Sequence, residues 1–335
     1  MQLCRYVARG PGEGPGEARW AVLAGAAGAG RAAGAAGAGR PAGQARPAGA
    51  AGAGTVVDLA TADPSLPADL EGLLAAAQAG RLAGLADGAS EGASGGAAGG
   101  GPEAARVQLD QVRLAAPVPP PSKIIGIGLN YRDHAAETGQ ELPTKPTVFA
   151  KFPNTLTGPY DPIVLPALSN SVDYECELGV VIGRRARDVG EDEALAYVGG
   201  YLPLNDVSAR DVQGWTSQWT LGKSFDTFAP AGPFLVTADE VPDPQDLAIE
   251  TRVSGVVMQH SNTANMVFTV AALVSQLSQV MTLEPGDIIA TGTPGGIGGA
   301  QKPPRFLKDG DVVEVEIDGL GCLRNPVVAG QGAAS

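Results

Sequence analysis

The sequence predicts a mostly β domain of rolled or barrel-like type, α+β in class, joined to a small N-terminal α+β unit. Three observations lead to that reading. From Arg106 onward, short apolar runs bounded by Pro, Gly and Asp recur, and several alternate with period two, as in Val312-Val313-Glu314-Val315-Glu316-Ile317. Helical periodicity is strong at one place in that part, residues 263–281. Finally, 24 of the 48 Gly lie in residues 1–101 of a 335-residue chain, so the average composition describes two different materials.

In chain order, residues 3–7, 20–23 and 55–59 are short strand candidates. Residues 66–85 are a helix candidate on which Leu70, Leu73, Leu74, Ala77 and Leu82 recur at helical spacing. Two segments, about 24–54 and 87–103, consist largely of Ala and Gly with Arg, Pro, Ser and Glu. They offer almost no large side chains to bury, and glycine loses much entropy on ordering, so both read as loops or disorder without chemistry. Residues 1–115 thus read as an appendage to a catalytic domain over 116–330. Within that domain the strand candidates are 123–129, 147–151, 178–182, 196–205, 232–236, 247–253, 287–291 and 311–316. The helix at 263–281 carries Met266, Val267, Val270, Leu273, Val274, Leu277 and Met281 on one stripe, with Ser261 or Asn262 as its N-cap.

Charge divides with the composition. Residues 1–100 hold seven Lys+Arg against eight Asp+Glu, and the remainder 16 against 28, so −12 of the net −13 belongs to the second part. Without a basic cluster, neither nucleic acid nor an anionic membrane surface is an expected partner, because both require Lys and Arg against phosphate. No apolar run approaches the roughly 20 residues that span a bilayer. The first ten residues lack the basic start and apolar core of a signal peptide. Cys4, Cys176 and Cys322 are too scattered for a disulfide framework or a CxxC metal pair, and the cytoplasm is the expected compartment.

Chemistry concentrates in the second part. In Asp173-Tyr174-Glu175-Cys176-Glu177-Leu178, period two puts Glu175 and Glu177 on one face, where two anions repel unless a cation or proton sits between them. A solvent-facing pair at a strand end is the plainer alternative. Oxygen-only ligation suits Mg²⁺, Mn²⁺ or Ca²⁺, whereas zinc recruits His or Cys, and the chain has two histidines. Asp206 ends the run Tyr201-Leu-Pro-Leu, with Arg210 and Gln213 following on a short helical turn, an arrangement that also fits an ordinary helix cap. His134 and Glu137 stand at i and i+3, either a carboxylate-oriented general base or a surface pair. Lys151 and Lys223 lie in low-charge, turn-rich contexts from which an ammonium can meet an acidic substrate or its enolate, or simply water. The run Thr291-Gly292-Thr293-Pro294-Gly295-Gly296 offers hydroxyls and backbone N–H groups to a carboxylate, but lacks the Gly-Lys-Ser/Thr ending of a phosphate loop.

Together, the runs Gly126-Ile-Gly-Leu-Asn-Tyr-Arg-Asp-His-Ala-Ala-Glu, Asp173-Tyr-Glu-Cys-Glu-Leu, Asn205-Asp-Val-Ser-Ala-Arg-Asp-Val-Gln, Gly222-Lys-Ser-Phe-Asp, Glu284-Pro-Gly-Asp-Ile-Ile-Ala-Thr-Gly-Thr-Pro and Leu307-Lys-Asp-Gly-Asp-Val-Val-Glu-Val-Glu-Ile resemble the fumarylacetoacetate hydrolase family, near its acylpyruvase and ureidoglycolate-lyase-like bacterial branch. The resemblance, spread over about 120–328, implies a mixed β-roll of fumarylacetoacetase type holding one divalent cation, Mg²⁺ first and Mn²⁺ or Ca²⁺ as alternatives. It implies Glu175, Glu177 and Asp206 as metal ligands and His134 with Glu137 as the general-base pair on a lid segment. Lys151 and Lys223 would stabilise oxyanion charge, and Arg210, Gln213 and Thr293 would orient the substrate. The implied activity is hydrolysis of a C–C bond in a small 2-oxo or 1,3-diketo acid during aromatic or amino-acid catabolism, by a homodimer. The same scaffold hosts 2-hydroxyhepta-2,4-diene-1,7-dioate-type isomerases and ureidoglycolate lyases, and a non-catalytic metal- or carboxylate-binding member is a further alternative.

Overall fold

The computed structural model describes residues 1–8, 17–24, 54–82, 85 and 105–330. The low-complexity segments at about 24–54 and 87–103 lie almost wholly outside the described residues. In the remainder strand outweighs helix, as the alternating runs require.

One eleven-stranded sheet runs, in spatial order, through Arg106–Gln108, Thr55–Asp58, Arg19–Leu23, Gln2–Ala8, Leu235–Thr237, Val198–Asn205, Cys176–Ile182, Ile288–Ala290, Ile124–Gly128 and Thr147–Lys151, with Val112–Ala115 also on Gln2–Ala8. Gln2 and Leu3 pair with Val236 and Leu235, so the N-terminal strands extend the main sheet rather than forming one of their own. A five-stranded sheet, Val256–Asn262, Ala248–Val253, Val312–Ile317, Gly321–Ala329 and Ile163–Leu165, packs against one face.

Strand Cys176–Ile182 is buried on both faces. Val180 and Ile182 enter the core shared with the five-stranded sheet and helix Val270–Val280. Val181 turns to the opposite core, where Leu70, Leu73 and Leu74 of helix Leu70–Gln78 pack on Ile124, Leu202 and Ile288. This is why the run reads as continuously apolar instead of alternating.

The helix expected at 263–281 is shorter. Asn262 caps only a 3₁₀ turn, Thr263–Asn265, and the helix proper starts at Val270, capped by the Thr269 hydroxyl. The residues between are held extended because Asn130 accepts the N–H groups of Val267, through its backbone carbonyl, and Phe268, through its side chain. Several strands escape sequence reading, of which Val256–Asn262 and Gly321–Ala329 are the longest. The first follows a tight Ser254-Gly255 turn with both residues at positive φ (49° and 82°).

A loop leading to the site is held by Asp311. Both its carboxylate oxygens accept from Arg305, and they also accept from Ser254 Oγ and the Lys308 N–H. Burial raises its pKa, but these donors outweigh burial and hold it below the ordinary carboxylate value. A depressed folded pKa gives stability that is present above the unfolded value of about 3.9 and lost as pH falls through the folded one. Asp311→Asn should therefore lower the urea midpoint at pH 7, with the gap to wild type closing below about pH 4; a gap constant with pH would contradict this charge-based role.

Candidate functional site

The register between Cys176–Ile182 and Val198–Asn205 creates the site. Cys176 pairs with Asn205, so the next residues outward, Glu175 and Asp206, arrive side by side from positions 31 apart in sequence. The Asp206 N–H donates to the Glu175 carbonyl at 2.8 Å, and the Glu175 N–H to Asn205 Oδ1 at 3.0 Å. Period two then brings Glu177 to the same face. Carboxylate oxygens of Glu175, Glu177 and Asp206 lie within 4.8 Å of one another, and all three residues are buried. Cys176, between the two glutamates, faces the opposite core, as alternation demands.

The three carboxylates are not equivalent. Lys223 Nζ donates to Glu175 Oε2 at 2.8 Å and Asp206 Oδ2 at 2.7 Å, and Arg210 Nη1 lies 2.6 Å from Glu175 Oε1. Burial pushes the Glu175 carboxyl up, but Lys223 and Arg210 outweigh it and hold it well below the usual range. Glu177 accepts one hydrogen bond, from the Gly292 N–H at 2.8 Å, and no ion pair reaches it among the described residues. Burial first, then Asp206 and Glu175, push its pKa well above the ordinary value. Gly292 is required here: its φ is +105° and a Cβ would stand 2.7 Å from that of Asn130.

Lys151 does not reach the cavity. It is 1% exposed, with its ammonium 2.7 Å from Asp206 Oδ1 and donating to the carbonyls of Val207 and Lys223. It holds Asp206 from behind, and of the two lysines Lys223 alone lines the cavity. Three clustered carboxylates, all hard oxygen donors, suit a divalent cation such as Mg²⁺ or Mn²⁺.

A cavity of about 380 Å³ opens over Glu175 and Glu177, bounded by His134, Arg210, Gln213, Lys223 and Thr293, with Phe149, Trp219 and Phe306 as apolar walls. Arg210 Nε and Nη1 are engaged by Asp173, Glu175 and Gln213, which leaves Nη2 buried and unpartnered for a substrate oxygen. His134 and Glu137 do share a helix, Arg132–Thr138, but they are not hydrogen-bonded: Nδ1 stands 3.7 Å from Oε2. Both Glu137 oxygens accept from the Gly296 N–H at 3.0 Å, so Glu137 staples the helix to the loop after Ile288–Ala290.

Asp173 has a role that its sequence context does not announce. It is fully buried and accepts from Arg210 Nε, Gly298 N–H and Gly299 N–H, so it aims the guanidinium and anchors the loop. Leu129, at φ 56° on the cavity wall, is likewise held in the left-handed region, next to Asn130. Only the first of these carried a signal, a third acid two residues before the Glu pair.

Residues 123–328 match the C-terminal domain of fumarylacetoacetate (FAA) hydrolase, over more than half of the chain. The chain belongs to the fumarylacetoacetate hydrolase family. Its mixed β fold is that of the family's solved members. It resembles the fumarylacetoacetate hydrolase of Exiguobacterium antarcticum (TM-score 0.72, 35% identity, covering 98% of this chain and 100% of that one). It also resembles the 2-hydroxyhepta-2,4-diene-1,7-dioate isomerase of Mycobacterium marinum (TM-score 0.68, 33% identity, 99% of each chain). In sequence it is 45% identical over 279 residues to the mitochondrial oxaloacetate tautomerase Fahd2a of Rattus norvegicus, covering 82% of this chain and 84% of that protein. Family membership thus fixes the scaffold, and the relatives' names span tautomerase, isomerase and hydrolase. No helix among the described residues is long and apolar enough to cross a membrane.

Proposed function

We propose that this chain is a divalent-cation-dependent enzyme that interconverts the keto and enol forms of a small chelating 2-oxo dicarboxylic acid, with oxaloacetate as the reference substrate. One observation carries this reading: apart from Glu175 and Glu177, His134 is the one side chain of general-base type among the described residues lining the cavity, and Arg210 and Lys223, which also line it, are held cationic. A tautomerisation needs a single base that takes a proton from carbon and returns it to oxygen. Hydrolysis of a C–C bond needs in addition a positioned water and a proton for the carbon leaving group. Glu137, which would steady His134 as a water-activating base, accepts from Gly296 and stands 3.7 Å from His134 Nδ1, beyond hydrogen-bond reach.

Glu175, Glu177 and Asp206 would hold the cation, which as a Lewis acid polarises the chelated 2-oxo group. Arg210 Nη2 binds the substrate's carboxylate, and Thr293 donates from the loop side. His134 Nδ1 is enclosed by protein, so Nε2 is the nitrogen that takes the proton from the carbon next to the carbonyl. Lys223 lies where it offsets the developing oxygen charge, in a buried site where that attraction is strong. The 45%-identical relative named oxaloacetate tautomerase supports the substrate class.

The second reading, hydrolysis of an acylpyruvate-like substrate, is supported by the likeness to the Exiguobacterium enzyme. Ultraviolet absorbance separates the two. With Mg²⁺, wild type should speed relaxation of oxaloacetate to its keto–enol equilibrium, and His134→Ala should lose about 10²- to 10⁴-fold of that rate. Pyruvate release from acylpyruvates without catalysed relaxation would establish the hydrolase reading instead. Neither activity would leave the binding-only alternative.

A further inference from the structure

We infer that Gln259, on the edge strand of the five-stranded sheet, is a positioning residue that dictates which way the Thr293 hydroxyl points, making it a donor into the cavity. The inference rests on the proposed recognition of a chelating 2-oxo acid. Strand Val256–Asn262 is otherwise exposed or half-buried, yet the Gln259 side chain is 1% exposed. All four of its hydrogen-bonding capacities are used. Oε1 accepts from the Cys176 N–H at 3.0 Å and the Thr251 hydroxyl at 2.9 Å; Nε2 donates to Thr293 Oγ1 at 2.8 Å and the Pro294 carbonyl at 2.9 Å.

The orientation of the amide is forced. A backbone N–H can only donate and a carbonyl can only accept, so Cys176 fixes the oxygen end and Pro294 the nitrogen end. Thr293 Oγ1 must therefore accept from Gln259. Its own proton is left over, and no described residue takes it. Thr293 lines the cavity, so that proton is available to an anionic oxygen of the substrate, where a charge-assisted bond gains most. Gln259 also ties the loop bearing Thr293 to Cys176, the residue between Glu175 and Glu177. It thus fixes the distance between donor and carboxylate trio without touching either substrate or trio.

Oxalate with Mg²⁺ is the probe, because its binding, measured by calorimetry, does not depend on which reaction follows. Gln259→Met and Thr293→Val should each weaken oxalate by about tenfold or more, as expected for a lost bond to a charged group. The double variant should be no weaker than Thr293→Val, since both remove the same donor. Mn²⁺ affinity without oxalate should stay within about twofold of wild type in Gln259→Met. Gln259→Glu keeps both accepted bonds but reverses the Thr293 proton when ionised, and should weaken oxalate at pH 8; it serves if the methionine variant does not fold. Additive losses in the double variant, unchanged oxalate binding in Gln259→Glu, or weakened Mn²⁺ binding in Gln259→Met would overturn the inference. Wild type failing to bind oxalate with Mg²⁺ would overturn the functional reading and this inference with it.

Discussion

Glu177→Gln should cost the protein its cation and its turnover while leaving its stability in chelator close to wild type. Glu177 is the member of the trio without a cationic partner, and burial beside Asp206 and Glu175 favours its neutral form, which glutamine mimics in shape. With the cation it must be a carboxylate, and there the amide fails. Loss of one ligand should lower Mn²⁺ affinity on the order of 100-fold or more, beyond what outer-shell changes do. Turnover should fall about 10³-fold, several kcal/mol of lost polarisation. Glu175→Gln is the control: it strips Lys223 and Arg210 of a shared partner inside the protein and should destabilise by on the order of 3 kcal/mol even in chelator. Urea midpoints with chelator, paired with Mn²⁺ titrations, read both. Equal destabilisation of the two variants would sink the distinction drawn between the carboxylates.

Lys223→Met should produce the largest loss of stability at the site. Its ammonium bridges Glu175 and Asp206 and stands 4.8 Å from the Phe149 ring centroid, and Lys223 itself is 2% exposed. Removing it leaves two buried carboxylates with Lys151 and Arg210 as remaining partners, a change that costs about 3–5 kcal/mol where a buried pair is broken. A divalent cation held by the trio would supply charge to the same carboxylates. Saturating Mn²⁺ should therefore raise the midpoint of Lys223→Met by more than it raises that of wild type. An equal rise in both proteins would mean that the ammonium and the cation do not act on the same carboxylates.

The features legible in the sequence were those written locally. The Glu175/Glu177 alternation, the i, i+3 placement of His134 and Glu137, and most strands of the main sheet each occupy a few consecutive residues. Asp206 was visible as an acid at a strand end, but its place beside Glu175 follows from a pairing register across 31 residues that no local pattern encodes. The same limit applies to Lys151, whose low-charge context matches that of Lys223 although strand Thr147–Lys151 buries it behind Asp206. Helix Val270–Val280 begins later than its periodicity suggests because Asn130, far away in sequence, captures the N–H groups before it. Gln259 sits on a strand concealed by its exposed neighbours, Val256 and Val257, so its inward position could not be read from alternation.

Anomalous diffraction at the manganese edge, from crystals grown with Mn²⁺ and oxalate, bears most directly on the trio as a cation site. One strong peak is expected within coordination distance of Glu175, Glu177 and Asp206, with oxalate completing its sphere on the side of Arg210 and Thr293. A cation bound elsewhere, or no peak at the trio while Lys223 alone bridges Glu175 and Asp206, would contradict it.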